Sequence, residues 1–385
     1  MDICFDIIKE IFNNLDLKYQ IRLLQINKYY NYNLQIIDLY HIPIKYKNKL
    51  DNDILKNYLH VKRLYCNHRI KYVNHFTNLI KLNCNGNYYI NDFSNLNKLK
   101  ILKCGYNSQI TDNHIKDLDL NELDCSDNYN IKNIDQMTNL KKLTCRWNSA
   151  VSDENIKNLD LHKLNIHENG KIKNISHLTN LRTIHCGNIK DKICNYDVIN
   201  LPLIKLYITG NVVIKNINCI TTLKILKCTM HYLGSLSNIT HDDIKNLDLY
   251  KLNIKCNPNI KNIGHMSNLK ILNCGGSNYH NSAITDDDIK NLNLIKLKAT
   301  NNPNIKKIDH FKNLKKLGCG GPRSNISDDD IKNLKLTKLN IIGNLNIKNI
   351  NHMTTLKELS CRSSKINTED ISNLCLSYLD RKYRY

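Results

Sequence analysis

A chain of 385 residues exceeds what one ordinary hydrophobic core serves, so two or three domains or a repeat array are expected. Its 56 Lys and Arg against 35 Asp and Glu give a formal charge of +21, but Lys, Asn and Ile abound throughout, which spreads that charge thinly. No apolar run reaches the roughly 18 residues of a membrane span, and the acidic start is unlike a secretory leader, which points to the cytosol.

Residues 1–40 read as helices. Ile7, Ile8, Ile11, Phe12 and Leu15 recur at three- and four-residue intervals as one apolar stripe. Leu17, Ile21, Leu24 and Ile26 make a second, ending near Tyr29-Tyr30-Asn31. The run Ile3, Cys4, Asp6, Ile7, Ile8, Ile11, Phe12, Leu15, Asp16, with Leu23, Ile26, Lys28 and Tyr30 downstream, resembles the F-box, a short helical module. Cys4 stands where that family has proline and Tyr30 where it has tryptophan. The resemblance implies docking on the Skp-type adaptor of a cullin-type (SCF-like) ubiquitin ligase, with Ile7, Ile8, Ile11, Phe12 and Leu15 facing the adaptor. The residues by themselves also allow another reading, in which the amphipathic pair covers the apolar end of the segment that follows. Residues 41–60, with Pro43 and a short helix over 51–59, read as a connector.

From residue 61 the frame L-x-x-L-x-C/I takes over. Leu79-x-x-Leu82-x-Cys84 is followed by Leu99-x-x-Leu102-x-Cys104, Leu120-x-x-Leu123-x-Cys125 and Leu140-x-x-Leu143-x-Cys145. Further copies start at Leu161, Leu181, Leu203, Leu223, Leu249, Leu269, Leu294, Leu314, Leu336, Leu356 and Leu376, which with the copy at Val61 makes about sixteen. Asn follows eight residues after the first Leu at Asn87, Asn107, Asn128, Asn148, Asn169, Asn211, Asn257, Asn302 and Asn344, suited to bond backbone groups inside a turn. The pattern resembles the leucine-rich-repeat family's L-x-x-L-x-L-x-x-N/C-x-L, with Cys or Ile in the third apolar slot. The expected fold class is therefore an α/β solenoid, a leucine-rich-repeat horseshoe with a parallel concave sheet and short convex helices or turns. One copy buries too few apolar groups to offset ordering its backbone, so copies must stack. The domain reading is an F-box-like module at 1–40, a connector at 41–60 and the repeat array at 61–385.

Copies alternate in kind. One carries a hydroxyl residue followed by acids, as in Ser152-Asp153-Glu154, Thr285-Asp286-Asp287-Asp288 and Ser327-Asp328-Asp329-Asp330, which reads as the capped start of a short helix and needs no calcium. The other carries Asn-Ile-Lys-x-Ile-x-His, as over 259–265, 304–310 and 346–352, and reads as a tight turn. Its histidines, His75, His177, His265, His310 and His352, lie at least two copies apart, roughly 10 Å or more at strand spacing, too far to share a metal. The repeat cysteines, Cys66, Cys84, Cys104, Cys125, Cys145, Cys186, Cys228, Cys274, Cys319 and Cys361, occupy a slot that elsewhere holds Ile166, Ile208, Ile254 or Ile341. They read as buried thiols, with no metal.

Residues on either side of the second Leu of the frame should face solvent, because strand side chains alternate. Ahead of it stand Arg63, Lys81, Lys142, Lys163, Lys205, Lys251, Lys296, Lys316 and Lys338, and after it a mixed set that includes Tyr65 and Tyr207. Three readings stay open. The strip recognises an acidic partner, it is the solvated face of a Lys-rich chain, or, least favoured, it makes the chain a basic nucleic-acid-binding solenoid. Regular aromatic interleaving for a single nucleic-acid strand is missing. Phosphate-loop, nucleophile-elbow and paired-carboxylate signatures are missing too, and Gly275-Gly276 and Gly320-Gly321 read as strand ends. The expectation is a cytoplasmic, non-enzymatic interaction scaffold without cofactor. It would be a substrate-recognition subunit joining a Skp-type adaptor to a protein target, or else a stand-alone binding scaffold. The Asn/Ile/Lys usage resembles that of giant DNA viruses or amoebae.

Overall fold

Each copy of the frame forms one coil, in which a three-residue strand and a turn lead back through a short helix or a tight bend. The computed structural model describes residues 2–26, 28–106, 108–187, 193–230, 237–277 and 279–381; Asn107 and the end of the basic tail lie outside them. Two units are present, Met1–Lys173 and Asn174–Tyr385.

The first unit opens with helices α1 (Asp2–Asn14), α2 (Leu17–Ile26) and α3 (Lys28–Asn33). Its strands are β1 (Asp38–Leu39), β2 (Arg63–Tyr65), β3 (Lys81–Asn83), β4 (Ile101–Lys103), β5 (Glu122–Asp124), β6 (Lys142–Thr144) and β7 (Lys163–Asn165). Each pairs in parallel with the next, in the register Asp38–Arg63–Lys81–Ile101–Glu122–Lys142–Lys163. The second unit carries β8 (Thr183–His185), β9 (Lys205–Tyr207), β10 (Ile225–Lys227), β11 (Lys251–Asn253) and β12 (Ile271–Asn273). Then come β13 (Lys296–Lys298), β14 (Lys316–Gly318), β15 (Lys338–Asn340), β16 (Glu358–Ser360) and β17 (Tyr378–Asp380). These are parallel in the register Thr183–Lys205–Ile225–Lys251–Ile271–Lys296–Lys316–Lys338–Glu358–Tyr378. The central strand residue is buried from Leu64 to Leu359, and backbone pairing runs on into the cysteine slot, where Cys84 N donates to Lys103 O at 2.8 Å. Both units are leucine-rich-repeat solenoids.

The array begins earlier than the sequence suggests. Ile36-x-x-Leu39 is a further copy of the frame with His41 in the third apolar slot, and Leu39 sits opposite Leu64. Residues 41–60 are therefore the body of this first coil and not a connector. Leu50 and Leu55 are buried in it, and Asp51 caps the short helix Asn52–Leu55 by accepting from Ile54 N at 2.9 Å.

Asparagines join coil to coil. Asn128 Nδ2 donates to Cys104 O (2.9 Å) and Ile110 O (3.1 Å) of the preceding coil, while its Oδ1 accepts from Asn130 N (2.8 Å) and Ile131 N (3.2 Å) of its own turn. Asn87, Asn169, Asn211, Asn257, Asn302 and Asn344 are likewise buried and donate to carbonyls of the coil before. Asn148 does not belong to this set: it is exposed and bonds Asp127, and the neighbouring Ser149 is buried instead. Asn67 does belong, although its coil places it closer to the strand than the eight-residue rule expects. It donates to Lys47 O and Leu50 O of the first coil. Coils with a short helix put serine in the interior at Ser108, Ser149, Ser282 and Ser324, and Ser237 is buried likewise in a coil whose corresponding stretch is a series of turns.

The acidic runs are accounted for acid by acid. At the short helix Asp286–Ile289, Asp288 accepts from Thr285 N (2.8 Å) and Thr285 Oγ1 (2.9 Å), which caps the helix start. Asp286 accepts from Lys306 N (2.9 Å) and Lys307 N (3.0 Å) of the next coil, and Asp287 pairs with Lys290 at 3.1 Å. Asp330, Asp328 and Asp329 repeat the three roles at Asp328–Ile331. Asp286 and Asp328 thereby staple adjacent coils through backbone amides.

All ten repeat cysteines are buried, as an apolar slot requires. Burial pushes the thiols of Cys84, Cys125, Cys274 and Cys319 up to about 12. The histidines at 177, 265, 310 and 352 lie exposed on their turns and His75 is half-buried. The glycine pairs sit just past β12 and β14, where a side chain at Gly275 or Gly320 would press on the backbone of the following coil.

Candidate functional site

Strands that bury their central leucine must present both neighbours on the opposite face. Every lysine singled out from the frame is on that face, yet the register does not join them into one strip.

In the first unit the row starts at Asp38, beside Arg63, and is broken by Ile101 and Glu122. Arg63 Nε lies 3.0 Å from Asp38, whose carboxylate also takes His41 Nδ1 at 2.8 Å. Burial works against the Asp38 charge, but the bonds from His41 and Tyr40 N together with Arg63 outweigh it and hold the carboxyl below its usual range. Lys81 Nζ stands 4.0 Å from the centre of the Tyr40 ring, and Lys47 Nζ lies 4.6 Å from that of Tyr65. Lys142 is 3.8 Å from Glu122. Arg63, Tyr65, Lys81 and Lys142 are thus engaged within the molecule. Farther along, Arg146 lies over the Trp147 ring at 4.1 Å, and Tyr106 meets the same ring at 5.2 Å.

In the second unit, Lys205 and Lys251 are separated by Ile225, and Tyr207 is stacked on His185 with centroids 4.0 Å apart. Lys296, Lys316 and Lys338 stand in register on three successive strands. They border a hollow of about 230 Å³ that Lys298 and Gly318 also line. Lys338 is held by Glu358. Among the described residues no carboxylate comes within ion-pair distance of Lys296, Lys298 or Lys316. Burial, and then the charges of Lys298, Lys316, Lys251 and Lys338, lower the affinity of Lys296 for its proton.

Lys298 and Gly318 were not visible as site residues in a reading that followed one frame position at a time. The signal was present in the sequence: Lys296-Leu297-Lys298 has lysine on both sides of its leucine, and Lys316-Leu317-Gly318 puts no side chain beside it.

On the N-terminal helices, Ile7 and Ile11 are each 53% exposed, while Ile8 and Leu15 are half-buried. Phe12 departs from the adaptor-facing set, since it is 1% exposed. Its ring edges a hollow shared with Gln35, Ile37, His60 and Lys62, and its carbonyl accepts from Gln20 Nε2 at 2.8 Å. A phenyl ring gains more from covering the first coil than from facing water. Among the described residues, no helix is long and apolar enough to cross a membrane and no cluster of His, Cys, Asp or Glu is arranged to hold a metal ion.

No protein-family model and no curated protein matches the chain. Among solved structures it is similar to the functional domain of InlJ from Listeria monocytogenes, which includes a cysteine ladder, at 19% identity and a TM-score of 0.41, over 84% of this chain and 68% of that one. It is also similar to TLR13 in a complex with ssRNA13, at 15% identity and a TM-score of 0.47, over 90% and 71%. The leucine-rich-repeat protein LIC12759 of Leptospira interrogans is similar at 16% identity and a TM-score of 0.37, over 93% and 98%.

Proposed function

We propose that the chain is a protein-binding scaffold whose second unit offers its strand face to an acidic partner. The observation that carries this is the row Lys296, Lys316 and Lys338 on successive strands, with one carboxylate, Glu358, beside it. Strands about 4.8 Å apart hold such charges on a rigid ladder, and charge complementarity of this kind supports on-rate and specificity. The fuller form of the reading is a substrate-recognition subunit of a cullin-type (SCF-like) ubiquitin ligase. The exposed Ile7 and Ile11 favour it, as the apolar pair left for a Skp-type adaptor once Phe12 is turned inward.

One binding assay on the full chain tests both parts. Immobilised protein is expected to retain polyglutamate, and Lys296→Glu with Lys316→Glu should weaken that retention by about tenfold or more. Equal retention by the variant contradicts the scaffold face. Single-stranded RNA held more tightly than polyglutamate, with a steep loss on adding salt, assigns the face to nucleic acid instead. In the second arm a purified Skp-type adaptor should be captured by the wild type and lost with Ile7→Asp plus Ile11→Asp. A wild-type chain that never captures adaptor removes the ligase role and leaves the scaffold.

A further inference from the structure

The hollow around Lys296 has a shape as well as a charge. Lys296 and Lys316 are Cα partners on adjacent strands, and Lys298 is the partner of Gly318. Gly318 is not demanded by packing: a Cβ there would meet Lys298 Cγ at 3.6 Å and Thr300 Oγ1 at 3.9 Å, both ordinary contacts. What the missing side chain does is keep the floor open between Lys298 and Asn340. The lining holds four lysines, Lys296, Lys298, Lys316 and Lys338, with Thr300 and Asn340 as neutral hydrogen-bonding residues and Leu297, Leu317 and Gly318 between them, and it contains no aromatic ring.

We propose that this cleft binds a phosphate monoester carried on an acidic peptide, an inference that rests on the scaffold reading above. A phosphoserine carries a charge of about −1.5 to −2 with three acceptor oxygens, against one charge and two oxygens for a carboxylate. Lysines act on such a group as point charges converging from several sides. Lys296, Lys298 and Lys316 supply three of them without a carboxylate at ion-pair distance among the described residues. Burial, and then the neighbouring lysines, weaken the hold of Lys296 on its proton, and a dianion in the hollow offsets the part that comes from the lysines. A nucleotide would gain little here, because base stacking needs an aromatic platform. Direction is also set: beyond β15 stand Glu358 and Asp380, so the acidic flank of the peptide runs the other way, towards Lys251.

The full chain is titrated into three degenerate peptide libraries with acidic flanks, each with a fixed central residue: phosphoserine, serine or glutamate. The phosphoserine library should bind about tenfold or more tighter than the other two. Lys296→Gln with Lys316→Gln should erase that gain, and so should Gly318→Val, which fills the floor without changing the charge, with thermal melting to show that the variants fold. Inorganic phosphate should compete. Equal binding of all three libraries overturns the phosphate site and leaves the acidic-partner reading, whereas failure of every library to bind overturns both. A phosphoserine gain that survives in the variants places the group elsewhere and overturns the proposal. Single-stranded RNA that displaces the phosphoserine library, and is itself lost in the same variants, overturns it in favour of nucleic acid.

Discussion

Raising the pH from about 8 to about 10.5 is expected to destabilise the protein strongly, and its interior thiols are the reason. A thiol whose pKa is raised on folding keeps its proton in the core after the unfolded chain has released its own. Below the ordinary value of 9.0 both states are protonated and the full stability is present. Between 9.0 and about 12 the unfolded state sheds protons that Cys84, Cys125, Cys274 and Cys319 retain, so stability falls as pH rises. Each pH unit in that window costs about 1.4 kcal/mol per thiol, so two such thiols in each unit remove on the order of 4 kcal/mol by pH ~10.5. Domains are stable by about 5–15 kcal/mol, so this is a large share. Thermal melting followed across the pH range checks it. Replacing Cys84 and Cys125 with Ala should flatten the alkaline fall in the first unit, and an identical profile for that variant contradicts the account.

Asn128→Ala is expected to cost on the order of 4 kcal/mol, since it strands two carbonyls and two amides at about 1–3 kcal/mol each before water or relaxation offsets part of the loss. All four groups lie inside the turn, around a side chain with almost no exposure. Asn148→Ala, at the same place in the frame but exposed, should change stability by less than about 0.5 kcal/mol. Urea midpoints of the two variants decide the matter, and equal losses contradict the coil-to-coil role of the buried asparagines.

That pair also shows where sequence reading succeeded and where it stopped. The frame located the strands because Leu and Cys at fixed spacing can be buried together only when coils stack. It misplaced Asn148 because the chain turns differently in helix-bearing coils, where Ser149 occupies the interior. The first coil was hidden because an exposed His41 stands at the position that usually holds Cys or Ile, leaving Ile36 and Leu39 as too short a signal. Phe12 fitted a helical stripe, but a stripe does not say whether its partner lies within the chain or outside it. The lysines were legible one by one. Their grouping was not, because frame position says nothing about the carboxylates beside Arg63, Lys142 and Lys338, and the Gly318 opening exists only across neighbouring strands.

The claim beneath all of this is that the repeat thiols line a dry interior made by stacked parallel strands. Alkylating the folded protein with iodoacetamide and mapping the modified residues by mass spectrometry tests it directly. Cys219 and Cys375, which are exposed, should be modified quickly, while Cys84, Cys104, Cys125, Cys274 and Cys319 react only once denaturant is added. Repeat cysteines modified as fast as Cys219 in the native protein would contradict it.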